Sequence, residues 1–331
     1  MSQITALSWN LERNGGNDAA KRRRVHEMLA KLNPHLLFRQ DMWGSDADGS
    51  TILYELEAIL GLRSWLGPRA CTAIFADPAL FQPVREWPLP EPLQTEPLPD
   101  PVQFELLTEA VRIQPTTALT MRYLPAGRGA MPMNLASYHF NYASVTGRLI
   151  EAEWLTTWAD KEWQFPSGET VRLPCLAAGD SNSYPVPLGI PGDPPLPVLD
   201  EIRDEPHRLH RSYMGPQGFR LMDDRPDEAL CAAGMGDVAR YWATTRRNQD
   251  AAARKRAVAR TMNACETHGP DSRVDRYYAT RDVLTAVIGV DVIEVPESDS
   301  DHHIGRVILD GDILADVLNR RPSALESLAA S

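Results

Sequence analysis

Polar residues with catalytic potential stand at the ends of short apolar runs in this chain. They are Trp9-Asn10, Gln40-Asp41, His139, Gly179-Asp180-Ser181-Asn182, Arg273-Val274-Asp275 and Ser300-Asp301-His302. In open α/β sheets, ligands bind in the crevice formed by loops at strand ends. We therefore expect these groups to converge on one rim of a sheet, where their side chains would act together.

Three of these residues offer hard oxygen ligands. Asp41 and Asp301 carry carboxylates, and Asn10 carries an amide oxygen. Such ligands suit Mg²⁺ or Mn²⁺, and Mg²⁺ needs few of them because it keeps several waters. The sequence therefore predicts a Mg²⁺ (or Mn²⁺) site at Asn10, Asp41 and Asp301.

The remaining polar groups suit proton transfer at a phosphate. His139 and His302 are able to bind phosphate oxygens or move protons, and Asp275 is able to hold a histidine in one tautomer. Asp180 and Asn182 are suited to orienting a water molecule or stabilising developing charge. Metal, oriented water and histidine together indicate hydrolysis of a phosphate ester.

Each of these groups also has a structural interpretation. The Gly-Asp-X-Asn segment is commonly a turn, and a single histidine such as His139 at a strand end is commonly a structural residue. The 301–303 segment is also typical of a solvated loop, because acidic residues alternate with serines just before it. The combination and its order along the chain favour the catalytic interpretation.

Apolar runs and helical spacing alternate along the chain, as in an α/β protein. A strand is predicted at 4–9, followed by a helix with Asn17 and Asp18 at its start, and further elements come at regular intervals. The remaining predicted strands are 36–38, 71–75, 118–123, 133–140, 171–178, 274–279, 283–295 and 304–309, and the remaining predicted helices are 147–159, 237–265 and one around 313–317. Proline-rich stretches at 83–101 and 184–197 are predicted to be loop insertions. No linker divides the sequence, so we expect a single domain over 1–331.

The composition excludes some classes of function. The 331 residues include 34 Lys and Arg against 45 Asp and Glu, a net charge of −11, so bulk positive charge cannot attract nucleic acid. No apolar run is long enough for a membrane span, and the first ten residues lack the pattern of a secretory leader. Four scattered cysteines without CxxC spacing predict reduced thiols and a cytoplasmic location, with a mature extracellular chain that has lost its leader as the alternative.

Six sequence blocks resemble the endonuclease/exonuclease/phosphatase superfamily, in the family's order and over nearly the whole chain. They are LSWNLE at 7–12, LLFRQD at 36–41, LASYHF at 135–140, AAGDSN at 177–182, RVDRYYAT at 273–280 and SDSDHH at 298–303. The resemblance implies a four-layered α/β sandwich, in which two mixed sheets pack face to face with helices outside. It also implies a divalent-metal-dependent phosphoesterase.

The same resemblance implies a role for each site residue. By similarity, Asn10 and Asp41 lie at the metal with Asp301 nearby, and His302 paired with Asp275 contacts the scissile phosphate. The other implied roles are water activation by Asp180 with Asn182 beside it, phosphate binding by His139, structural support by Arg148, and no catalytic role for His303. One position departs from the family, because Asp41 stands where a glutamate is usual. The shorter acid implies a shifted metal, a metal bound through water, or a changed metal preference.

The substrate is much less defined by the sequence. The segment from Arg240 to Arg260, with Tyr241 and Trp242, is a candidate track for nucleic acid, and a solvated helix face is its alternative. Lys21 to Arg24 form a second basic run. A nuclease or a small-molecule phosphodiesterase both fit, with a phosphate ester as partner and nucleic acid as a possible one. A non-hydrolytic descendant of the fold, acting as a binding protein or in specialised-metabolite chemistry, is the alternative class.

Overall fold

Two six-stranded mixed sheets form the centre of the computed structural model, which describes residues 2–16, 18–87, 114–245 and 250–320. In chain order the strands are β1 Gln3–Asn10, β2 Leu36–Gln40, β3 Arg63–Leu66, β4 Ala73–Ala76, β5 Phe81–Glu86, β6 Thr117–Tyr123, β7 Met133–His139, β8 Glu162–Gln164, β9 Thr170–Arg172, β10 Cys175–Asp180, β11 Ser212–Met214, β12 Arg220–Met222, β13 Met235–Asp237, β14 Asp275–Thr280, β15 Val287–Ile293 and β16 Ile304–Asp310. The first sheet has the order β15-β16-β1-β2-β4-β3, and the second has the order β13-β14-β10-β7-β6-β5. Two small hairpins, β8-β9 and β11-β12, complete the strands of the described residues.

The helices of the described residues are short and lie outside the sheets. They are α1 Ala19–Lys31, α2 Ala47–Leu60, α3 Val145–Thr156, α4 Glu205–His210, α5 Arg225–Ala232, α6 Val238–Thr245, α7 Ala251–Ala257, α8 Arg281–Thr285 and α9 Gly311–Asn319. Helix α1 begins at Asp18, whose side chain accepts a hydrogen bond from the backbone N–H of Lys21, as the sequence predicts. No helix of the described segments is both long and apolar enough to cross a membrane.

The main hydrophobic core lies between the two sheets. Leu36 and Phe38 of β2 belong to it, together with Leu135 of β7 and Leu176 of β10. Leu37 faces the opposite way, into a second cluster with residues of α1 and α2. A strand that is covered on both faces needs an uninterrupted apolar run, which explains the sequence Leu36-Leu37-Phe38.

A third apolar cluster covers the outer face of the second sheet. Ala152 and Leu155 of α3 and Leu230 of α5 pack there against Ala136 and Ala177. The layers are therefore helix, sheet, sheet and helix. This arrangement confirms the four-layered sandwich of two mixed sheets that the sequence predicts.

The proline-rich stretch at 83–101 differs in part from the loop predicted for it. Residues 83–86 belong to β5, and residues 88–101 lie outside the described residues. Strand β5 is at the edge of its sheet, and its register shifts between Pro83 and Arg85. An edge strand with an irregular register tolerates a residue that lacks a backbone N–H. The second proline-rich stretch, 184–197, contains no helix or strand, as predicted.

Three other predicted elements are divided in the structure. The strand predicted at 171–178 is β9 followed by β10, because Pro174 interrupts it. The strand predicted at 283–295 begins only at Val287, after α8. The helix predicted at 237–265 is two helices, α6 and α7, with 246–249 outside the described residues. Beyond α7 the backbone of Met262 pairs with Ser272 and His302, which overrides the helical propensity of the segment.

Candidate active site

Three adjacent strands of the second sheet place three of the predicted catalytic residues side by side. Asp180, at the end of β10, lies in register with His139 of the parallel strand β7. On its other side it lies in register with Asp275 of the antiparallel strand β14. Residues that are far apart in the chain thus become direct neighbours because their strands pair.

Asp180 lies at the centre of this group and is almost completely buried. Its Oδ2 atom accepts a hydrogen bond from Asn10 Nδ2 at 2.9 Å, which joins the two sheets at this rim. The same oxygen lies 3.6 Å from His139 Nε2 and 4.0 Å from His302 Nε2. Its Oδ1 atom accepts a hydrogen bond from the backbone N–H of Asn182 at 2.7 Å.

Asn182 holds the turn that follows β10. Its backbone has a φ of 47°, in the left-handed region that asparagine tolerates. Its side-chain Nδ2 donates to the carbonyl of Phe140 at 2.9 Å. The segment is therefore a turn, as the structural interpretation of Gly-Asp-X-Asn predicts, and this turn orients the Asp180 carboxylate.

His302 and Asp275 form a buried pair. His302 Nδ1 lies 2.8 Å from Asp275 Oδ2, which leaves Nε2 directed toward Asp180. The backbone N–H groups of Val274 and Asp275 both donate to Thr261 Oγ1 and fix the start of β14. Asp275 is therefore placed to orient the imidazole of His302.

The segment before β16 is fixed to the first sheet by polar contacts around His302. Trp9 Nε1 donates to the carbonyl of His302 at 3.0 Å. Ser300 Oγ accepts from the backbone N–H of His302 at 3.0 Å and donates to the carbonyl of Asn10 at 3.1 Å. These bonds hold His302 at the rim where β1 and β10 end.

Burial and mutual charge shift the pKa values of both histidines. Burial alone would lower the pKa of His302, but the charge and hydrogen bond of Asp275 raise it to about 9. Burial would also lower the pKa of His139, but the hydrogen bond and charge of Cys71, followed by the charge of Asp180, raise it to about 10. Both imidazoles therefore favour the protonated form at neutral pH.

The two carboxylates respond in opposite directions. Burial works against ionisation of Asp180, yet the charges of His302 and His139 hold its pKa below the ordinary value. Burial raises the pKa of Asp275 above its ordinary value, and the nearby charge of Asp180 adds to the effect. The pKa of Asp180 is thus the lower of the two.

The predicted metal ligands lie at the same rim but are not gathered into one cluster of acids. Asp41 follows Gln40, which is in register with Asn10, and its Oδ2 accepts from the backbone N–H of Arg13. Asp301 follows Ser300, which bonds to Asn10. In the described part of the chain, the one group of three His or acidic ligand atoms within 4.8 Å of one another is Asp180, Asp275 and His302.

The donor set fits a divalent cation. Asp275 Oδ1 is buried and has no hydrogen-bond partner among the described residues, so an oxygen ligand is available at the cluster. Asn10 and the flanking Asp41 and Asp301 add hard oxygen donors at the rim. The acidic and histidine side chains at this rim therefore offer ligands for a divalent metal.

Two buried residues that sequence reasoning missed also lie at the cluster. Cys71 Sγ is 3.7 Å from His139 Nδ1, and it donates to Gln114 Oε1 at 3.2 Å. The guanidinium of Arg211 contacts Met262 Sδ at 4.0 Å, and its positive charge lowers the pKa of Asp180. A single cysteine and a single arginine outside any motif carry no pattern from which their positions could be predicted.

Arg148 and His303 have supporting roles. Arg148 is fully buried and binds Asp223 Oδ2 through Nε at 3.0 Å and Nη2 at 2.9 Å. His303 accepts from the backbone N–H of Val295 through Nδ1. Both contacts agree with the structural roles expected of these residues.

The basic segment proposed as a nucleic-acid track is not one continuous surface. Arg240 is buried and binds Asp193 and Asp227, so its charge is neutralised inside the protein. Arg260 pairs with Asp271 at 2.7 Å. Arg246 and Arg247 lie outside the described residues. Both sequence interpretations are therefore wrong for Arg240, which is neither a nucleic-acid contact nor a solvated residue.

Solved structures of known proteins share this architecture. An endonuclease/exonuclease/phosphatase from Bacteroides vulgatus is 12% identical, with 94% of this chain and 99% of that chain covered at a TM-score of 0.55. The chain has the endonuclease/exonuclease/phosphatase fold. A 3′ phosphatase from Neisseria, solved with a product DNA hairpin, is 13% identical over 93% and 99% of the chains at a TM-score of 0.54. An AP endonuclease from Archaeoglobus fulgidus is 14% identical over 93% and 99% at 0.53.

At these identities the likeness shows the fold, and it confirms the fold that the resemblance of the six sequence blocks implies. No family model matches the chain. No curated protein matches it either. The argument for function therefore depends on the site itself.

Proposed function

We propose that the protein is a divalent-metal-dependent phosphoesterase that hydrolyses a phosphodiester by attack of water. The observation that carries the proposal is the contact of Asp180 with both histidines, with His302 held by Asp275. Proteins of this fold include a 3′ phosphatase and an AP endonuclease, which makes phosphate-ester chemistry the expected reaction class.

Asp180 orients the attacking water in this proposal and accepts the proton that the water loses as its oxygen bonds to phosphorus. Its ionised carboxylate accepts hydrogen bonds, and the turn at Asn182 fixes its direction. His302, protonated through Nε2 and held at Nδ1 by Asp275, binds a phosphate oxygen and supplies a proton as the leaving oxygen departs. His139 is placed on the other side of Asp180 to hold a second phosphate oxygen.

Asn10, Asp41 and Asp301 would hold the metal, which we take to be Mg²⁺ or Mn²⁺ because oxygen donors dominate at that side. When bound, such an ion polarises the phosphate and neutralises developing charge. The substitution of Asp41 for the family's glutamate bears on how this ion is held and on which ion is preferred. The cytoplasmic location and the single domain over 1–331 stay predictions. All four cysteines are free thiols in the structure.

The substrate class is tested by a screen of the purified full-length chain. Single-stranded DNA, duplex DNA, RNA, nucleotides, sugar phosphates and bis(p-nitrophenyl) phosphate are each incubated with Mg²⁺, Mn²⁺ or EDTA. We expect metal-dependent release from at least one diester and its loss in His302→Ala. His303→Asn is the matched control, because Asn keeps an acceptor for the N–H of Val295.

Absence of hydrolysis of every phosphate ester, with no metal bound, would contradict the proposal. That result would favour the alternative, a non-hydrolytic descendant that uses the same pocket for binding or for other chemistry. Equal loss in His302→Ala and His303→Asn would instead contradict the role of His302, because it would indicate a structural defect common to both.

A further inference from the structure

A cavity of about 560 Å³ opens beside the active site, between the loop after β1 and the loop after β2. Arg13, Arg22 and Trp43 line it together with Asn14 and Ile52. It lies next to the rim of the active site, because Arg13, which lines it, donates its backbone N–H to Asp41 Oδ2. Its volume is that of a small-molecule site, which is about 300–1,000 Å³.

The two arginines of the cavity have no ion-pair partner among the described residues. Neither Arg13 nor Arg22 has a carboxylate within 4.0 Å in the described segments, whereas the neighbouring Arg23 and Arg24 pair with Glu55 and Asp299. Arg22 Nε is moreover buried without a hydrogen-bond partner there. An anion in the cavity would supply the acceptor that this N–H group lacks.

Trp43 adds a flat apolar surface to these charges. Its side chain is 54% exposed, and within 2–16, 18–87, 114–245 and 250–320 no other ring packs against it. An exposed indole that lines a cavity together with two arginines is suited to stacking on a planar group attached to an anion. A bare phosphate would leave this surface unused.

Buried hydrogen bonds hold Asn14, which lines the cavity. Asn14 is 2% exposed, and its side chain accepts from Arg39 Nη2 at 3.0 Å and donates to Ser45 Oγ at 3.2 Å. Arg39 is itself fully buried and is anchored to main-chain carbonyls. A ligand would therefore enter a site whose base is already in place, which lowers the entropic cost of binding.

We propose that this cavity binds one nucleotide unit of a single-stranded substrate, with a phosphate between Arg13 and Arg22 and the base stacked on Trp43. The inference rests on the proposed phosphoesterase function and specifies its substrate as single-stranded nucleic acid. A base must be out of its duplex to stack on a side chain, which is why a single strand is favoured. Local cations matter here because the net charge of −11 repels anions elsewhere.

The test measures binding without turnover. A fluorescein-labelled oligothymidylate of about eight nucleotides is titrated with the full-length chain in EDTA, and anisotropy gives Kd. Trp43→Ala is expected to weaken binding about tenfold, in line with the loss of one base–aromatic contact. Trp154→Ala is the matched control, because Trp154 is 50% exposed on α3.

The arginines are tested by the salt dependence of the same Kd. Arg22→Gln is expected to weaken binding and to reduce the slope of log Kd against log salt by about 0.7, the effect of losing one phosphate contact on a single strand. Arg23→Gln, whose arginine pairs with Glu55, is expected to leave the slope unchanged. Circular dichroism melting shows that each variant is folded.

The inference is overturned if Trp43→Ala binds within about twofold of the wild type or if Trp154→Ala loses as much affinity. It is also overturned if ribose 5-phosphate competes as well as thymidine 5′-phosphate, since the base would then contribute nothing. Binding that depends on Trp43 in a protein without hydrolytic activity would leave the inference standing and contradict the proposed function. Hydrolysis of bis(p-nitrophenyl) phosphate with no effect of Trp43 on oligonucleotide binding would contradict the inference and leave the proposed function standing.

Discussion

Two buried clusters of charged side chains in this protein differ in the basic residue that pairs with their aspartates, which is histidine in one and arginine in the other. The candidate catalytic cluster comprises Asp180, Asp275, His139 and His302, and the arginine–aspartate network comprises Arg240, Arg273, Asp193, Asp227 and Asp237. In the network Arg273 binds Asp237 at 2.7 Å and Arg240 binds Asp193 at 2.6 Å. In the cluster the partners are histidines, at 2.8 to 4.0 Å.

The difference separates structural from chemical use of buried charge. An arginine is always protonated, so the network keeps its charges fixed. A histidine can release its proton, and Asp275 Oδ1 has no partner among the described residues, so the cluster has capacity for proton transfer and for a ligand. The network also adjoins the cluster along the chain. Asp193, from the proline-rich 184–197 stretch, binds Arg273, which is two residues before Asp275.

The largest contrast is expected from the same chemical change made in each group. Asp180→Asn should lower kcat about 10³-fold or more, because a neutral amide cannot orient or activate water as a carboxylate does. Asp237→Asn should leave most of kcat but destabilise the fold. Steady-state kinetics and thermal melting of both variants check this; equal effects on kcat would remove the distinction between the groups.

Loss of one cation from the network should be costly to stability. Arg273→Met removes one of the two buried arginines that Asp193 and Asp237 contact and leaves Arg240 alone to balance them, so the free energy of unfolding should fall by about 3–5 kcal/mol. Urea denaturation followed by circular dichroism measures it. A loss below about 1 kcal/mol would mean that the network does not hold this region together.

The network should also determine how stability depends on acid. Burial opposes the charge of Asp237, but Arg273 and Arg240 hold its pKa below the ordinary value. Its contribution is therefore present above the pKa of the unfolded state and is lost as pH falls through the lower pKa of the folded state. Unfolding free energies from about pH 6 to about pH 3 should fall less steeply in Asp237→Asn than in the wild type. Parallel profiles would contradict this.

The smallest effect on kcat is expected from a change at Asp41, a proposed metal ligand. Asp41→Glu restores the longer acid of the family and should preserve or improve activity with Mg²⁺, within about tenfold. The kcat in Mg²⁺ and in Mn²⁺ checks it. A strong loss with both metals would show that the backbone around Asp41, which has a φ of 61°, is adapted to the shorter side chain.

Much of the fold, and the meeting of the polar residues at one rim, could be predicted because apolar runs end in polar residues. Asn10, His139 and Asp180 each end a strand. These residues come together because the sheets place those strand ends side by side. Arg240 was beyond prediction, because its burial depends on Asp193, which is distant in the sequence and lies in a stretch with no periodic pattern. Cys71 reaches His139 in the same way, through pairing of strands and not through any local motif.

The central claim is that a divalent cation and a phosphate meet at the rim formed by Asn10, Asp41, Asp180 and His302. Crystals soaked with Mn²⁺ and phosphate test it directly through anomalous scattering. We expect a manganese peak with an oxygen of Asp41 or Asp301 as ligand, and a phosphate oxygen within hydrogen-bonding distance of His302. Manganese bound elsewhere on the surface, with no phosphate near His302 and Asp180, would contradict the account.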